Sequence, residues 1–71
     1  MPTLEEMITA IPDAHDRAIM RQYYIGNHKI REIAEAVDMT ERNVNRHLEH
    51  GRRELTARFG IDFKLHQKSR S

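Results

Sequence analysis

The sequence predicts an all-α fold: a four-helix domain with a short C-terminal extension. Three observations carry the prediction. Helix breakers are few, with prolines only at Pro2 and Pro12 and glycines only at Gly26, Gly51 and Gly60. Apolar residues recur at steps of three and four, as in Ile30, Ile33, Ala34, Val37 and again in Val44, Leu48, Gly51, Leu55, which is the period of a helix with one buried face. Thr3 and Thr40 each stand before an acid-bearing segment, the arrangement of a helix N-terminus.

Each element follows from local chemistry. Thr3-Leu4-Glu5-Glu6 has the form of a capping box and predicts a first helix from about Leu4 to Ala10, with Leu4, Met7, Ile8 and Ile11 on its apolar side. Pro12 suits the first turn of a second helix, where its missing N–H is not needed. Asp13 and Asp16 then lie near the positive end of that helix, which carries Ala18, Ile19, Tyr23 and Tyr24 and is expected to end at Gly26 in a left-handed cap. A third helix runs from about Lys29 to Val37, capped by Asn27 or His28. Asp38-Met39 breaks the pattern, and Thr40 caps a long fourth helix from about Glu41 to Arg58. Domain limits follow as 1–60, with an extension over 61–71 that is partly disordered because its end is polar.

Composition narrows the function. At 71 residues the chain fits one small domain, with a thin core and no deep cleft for a cofactor. An enzyme is not expected. No cysteine is present, which excludes disulfides and thiolate zinc sites. No apolar run is long enough to span a bilayer, and the acidic start differs from an export signal, so the expectation is a cytoplasmic protein. The net charge of +1 hides an asymmetry. Residues 1–20 hold four acids against Arg17, a net of −3, and the remainder is +4. A basic second part points toward nucleic acid.

The stretch from Lys29 to Leu55 carries the functional reading. A short helix, a tight turn and a longer helix with an Arg- and Asn-bearing outer face form a helix-turn-helix pattern. At about 100° per residue, Arg42, Arg46, Glu49 and Arg53 lie opposite the apolar face, with Asn45 on the flank. Arginine pairs with guanine and asparagine with adenine in the major groove. The first turns of the entering helix come nearest the bases, which singles out Glu41, Arg42, Asn45 and Arg46. Lys29, Arg31, Thr40, Asn43, Arg52 and Arg53 are then placed for the DNA backbone.

At these residues the chain resembles a known family. Ile11-Pro12, Glu32-Ile33-Ala34-Glu35, the run Val37 to Leu48 and Arg52-Arg53-Glu54-Leu55 are similar to region 4 of sigma-70-type factors and to the related LuxR-type domains. The resemblance covers about residues 11 to 58. It implies a four-helix domain that reads a promoter element through the start of its last helix, at positions matching Glu41, Arg42, Asn45 and Arg46. It also implies docking on RNA polymerase through the earlier helices. There are departures. Asp38 stands where the family usually has glycine in the turn, and the Gly26 to Ile33 interval is one residue longer than is common. No other sigma region is present, so the expectation is a free-standing domain of phage or bacterial type.

Other features receive plainer readings. Gly51, within a helix and on its apolar face, implies close approach of another helix, of the same chain in the first place and of a dimer partner as the alternative. His47 and His50 lie three apart with no further ligand cluster beside them in the sequence, so no metal is expected there. Tyr23 and Tyr24 read as one core ring and one rim ring, and Met7, Met20 and Met39 as fillers of core gaps. Ile61, Phe63 and Leu65 alternate with polar residues and are expected either to fold over the core or to form a partner contact. The resulting expectation is a repressor-like transcription regulator that binds double-stranded DNA as a homodimer. Its alternative is a sigma region 4 mimic that binds RNA polymerase or a sigma partner.

Overall fold

The computed structural model describes residues 2–63. Its helices are α1 (Leu4–Thr9), α2 (Ala14–Met20), α3 (Ile30–Val37) and α4 (Glu41–Phe59), and α2 runs on into a π-helical turn over Arg21–Ile25. The described residues contain no strand. The predicted capping box opens α1: Glu6 N–H donates to Thr3 Oγ1 at 3.2 Å, and Thr3 N–H donates to Glu6 Oε1 at 2.8 Å. A helix this short is not stable alone. It is held by the buried Ile8 and by Arg21, which donates to Thr9 Oγ1 at 3.1 Å. Arg17 clamps the following turn by donating to the carbonyls of Ile11 and Pro12 at 2.7 and 2.9 Å.

The start and end of α2 differ from the sequence expectation. Pro12 lies outside the helix, because Asp13 is the N-cap. Its backbone is extended (φ −80°, ψ 123°), and its carboxylate accepts from the N–H groups of His15 and Asp16. At the other end the hydrogen-bond ladder widens: Gly26 N–H donates to the Arg21 carbonyl and His28 N–H to the Gln22 carbonyl, both at 3.0 Å. The left-handed residue is Asn27 (φ 57°), not Gly26 (φ −84°). Asparagine tolerates that conformation. Glycine is needed at 26 for space, since a Cβ there would lie 2.8 Å from the His28 ring and 3.0 Å from the Gln22 carbonyl oxygen.

Neither Asn27 nor His28 caps α3. Lys29 occupies the N-cap position without a side-chain acceptor, and Glu32 closes the turn by accepting from Lys29 N–H at 3.0 Å. That hydrogen bond holds the Glu32 carboxyl below its usual range. The turn into α4 is as the sequence predicts. Asp38 adopts the left-handed conformation (φ 59°, ψ 49°), Met39 N–H reaches the Ala34 carbonyl at 2.9 Å, and Thr40 caps α4 by accepting from Asn43 N–H at 3.1 Å.

The core is a single cluster of Ile8, Ile11, Ile19, Met20, Ile33, Ala34, Val44, Leu48 and Leu55. α4 runs through its centre and packs against each of the other helices. Gly51 meets α2 as expected: a Cβ at 51 would sit 2.7 Å from Met20 Cγ and 2.9 Å from its Sδ. Met20 is fully buried, so Gly51→Ala forces overpacking of about 1–3 kcal/mol against a helix-propensity gain of about 1 kcal/mol. The expected result by urea denaturation is a net loss of about 1 kcal/mol. In a Met20→Ala background the same change becomes stabilising, which exposes the coupling.

Tyr23 and Tyr24 do not divide into core and rim. Both are half-buried, and their rings meet edge to face at 4.9 Å. Met20 fills the core, while Met7 and Met39 pack against it from the edge. Ile61 and Phe63 fold back on the domain, half-buried, instead of standing out for a partner. Thr56 Oγ1 donates to the Ile61 carbonyl at 2.7 Å, and the Phe63 ring lies 5.7 Å from Tyr24. These two contacts turn the chain inward after Gly60. Leu65 and the polar end of the extension lie outside the described residues.

Candidate nucleic-acid interface

Burial of Val44, Leu48, Gly51 and Leu55 orients α4. The opposite side is left to solvent, and Glu41, Arg42, Asn45, Arg46, Glu49 and Arg53 are all exposed there. Thr40 and the Asp38 turn fix where this face begins. The Asn45 amide donates to the Glu41 carbonyl one turn back at 3.1 Å, which sets its resting orientation. Arg53 pairs with Glu49 at 3.4 Å, an exposed i,i+4 contact of little energetic weight.

The residues expected at the DNA backbone are distributed as follows. Lys29 and Arg31 are exposed at the start of α3, and Asn43 is exposed in the first turn of α4. The Thr40 oxygen is taken by the helix cap, which leaves its hydroxyl proton to donate outward. Arg52 is drawn aside: its Nε donates to the Tyr24 hydroxyl at 2.7 Å, and its guanidinium carbon lies 5.8 Å from that ring.

Beside this face is an arrangement that the sequence did not reveal. Asp16, read from the sequence only as an acid near the positive end of α2, is completely buried. His47 Nδ1 lies 2.7 Å from its Oδ1, and His50 Nδ1 contacts its Oδ2. A buried carboxylate is tolerable only when paired in this way. The hydrogen bond and charge of Asp16 raise the pKa of His50 above the ordinary imidazole value. Asp13 sits alongside with its carboxyl held low, chiefly by the Asp16 N–H. The His15 ring lies 5.7 Å from that of His47. Thus α2 supplies the neighbours that His47 and His50 lack in sequence. An open groove runs from Asp13, Asp16, His47 and His50 to Arg46 and Arg53.

The interface is a convex helix face, suited to a groove in a partner. No helix among the described residues is long and apolar enough to cross a membrane. Comparison with known proteins agrees with this geometry. The family described as sigma-70, region 4 matches residues 4–55, from the first residue of α1 to the last buried leucine of α4. No curated protein and no solved structure matches the chain. Four helices in this order, the left-handed turn before α4 and the extent of the match place the chain in the sigma-70 region 4 family, whose helix-turn-helix domains bind promoter DNA and are not catalytic.

Proposed function

We propose that the protein is a sequence-specific transcription regulator of repressor type, which reads its site by inserting the N-terminal half of α4 into the major groove. Glu41, Arg42, Asn45 and Arg46 contact base edges. Lys29, Arg31, Thr40, Asn43 and Arg53 hold the DNA backbone, and Arg52 braces α4 through Tyr24. The observation that carries this reading is the exposure of the outward side of α4 at Arg42, Asn45 and Arg46, on a helix whose other side is the centre of the core.

A single copy offers few phosphate contacts, and such contacts dominate affinity at physiological salt. The regulator therefore acts as a homodimer on half-sites about one helical turn apart. The mimic reading, in which the domain binds RNA polymerase or a sigma partner, loses support from the extension, because Ile61 and Phe63 are packed inward. Selection of bound sites from random duplexes, with the mass of the complex measured, tests the proposal. Palindromic sites carrying two chains, and affinity that falls steeply with salt, are the expected result. Retention by RNA polymerase without DNA, together with no selected site, overturns it.

A further inference from the structure

We propose that Asp13, Asp16 and His47 form a binding site for a divalent transition-metal ion of the zinc class, joining the start of α2 to the middle of α4, with His50 at its mouth. The ligand atoms of Asp13, Asp16 and His47 lie within 4.8 Å of one another. His50 Nδ1 reaches the second oxygen of Asp16. Residues 31 and 34 positions apart in the chain are thereby brought to one carboxylate.

The donor set is one imidazole nitrogen and two carboxylates, and the imidazole favours zinc over the oxygen-preferring magnesium or calcium. Two carboxylates carry the charge that a divalent cation neutralises. The supports that metal sites require are also present. Asp13 is oriented by the N–H groups of His15 and Asp16 at 2.8 and 3.1 Å, the outer-shell bracing that fixes a ligand in place. Asp16 is immobilised by complete burial. His50 is half-exposed, with 54% of its side chain accessible, so an ion can enter from the groove. The plain competitor is a His–Asp–His hydrogen-bond set that takes no ion.

The experiment uses the full chain, dialysed against a chelator and then given Zn²⁺, with Mg²⁺ as control, in thermal melting and titration calorimetry. Cobalt(II) serves as a spectroscopic probe. The site requires one ion per chain, a melting temperature raised by about 5 °C or more with Zn²⁺ but not Mg²⁺, and visible cobalt bands of a four-coordinate site. Asp13→Asn keeps a helix-capping acceptor while removing a charged ligand, and His47→Gln removes the imidazole. Both are expected to fold and to lose the Zn²⁺ response. No Zn²⁺ response in the parent chain overturns the proposal, and so does a response unchanged in both variants, which places the ion elsewhere.

Discussion

Leu48→Ala is expected to remove most of the stability of the domain. The side chain is 1% exposed, at the point where α4 crosses the core. Truncating a buried leucine costs about 2–5 kcal/mol, the spread reflecting how far the cavity collapses. A domain of this length holds only about 4–10 kcal/mol in total. Little slack is available for collapse, because the neighbouring Ile33, Val44 and Leu55 are themselves fully buried on ordered helices. The melting temperature is expected to fall by more than about 10 °C. Leu48→Met, which conserves volume, is expected to cost less than about 1.5 kcal/mol. Circular dichroism during heating and urea titration measures both. A fall of under about 1 kcal/mol for the alanine variant would show that α4 is not the central packing element.

Arg46→Ala has the largest expected effect on recognition. Arg46 is exposed on the outward side of α4, in the turns proposed to enter the groove, and has no ion-pair partner among the described residues. Losing a bidentate arginine-to-guanine contact costs about 1–3 kcal/mol and relaxes preference at that base pair. Specific affinity is therefore expected to drop about 5- to 150-fold with nonspecific binding nearly unchanged. Arg46→Lys does not restore it, since an ammonium lacks the planar fork. Arg53→Ala, by contrast, is expected to weaken all sequences alike and to reduce the salt slope by about one. Competition binding against the selected site and scrambled duplexes separates the two patterns. Equal loss on both duplexes for Arg46→Ala would move Arg46 from base edges to phosphates.

Much of this molecule is local and therefore legible in its sequence. The Thr3 and Thr40 caps, the stripe of α3 and the buried side of α4 depend on residues within a turn or two of each other. So does the left-handed turn at Asp38, where a short polar side chain tolerates what most residues do not. The exposed side of α4 followed from the same periodicity.

The misread features all depend on contacts distant in sequence or on competition between neighbouring signals. Pro12 was a valid first-turn residue, but Asp13 could cap and did. Gly26 suggested a left-handed residue, whereas its constraint is the space beside the Gln22 carbonyl and the His28 ring in the widened turn. Asp16 read only as an acid favoured by the helix dipole, and the crossing of α2 over α4 buries it between two histidines. Ile61 and Phe63 gave no sign of direction, because their anchors are Thr56 on α4 and Tyr24 on the π-helical turn.

The crossing of α4 through the core has an evolutionary consequence. The same rod carries the residues that make folding possible and, on the proposed reading, those that choose a DNA sequence, interleaved along its length. On that reading, changes at Arg42, Asn45 or Arg46 alter preference without opening a cavity. Changes at Val44 or Leu48 threaten the whole domain without teaching it a new site. Target choice could therefore drift one outward residue at a time over an unchanged scaffold, which would let related domains diverge while keeping a single architecture.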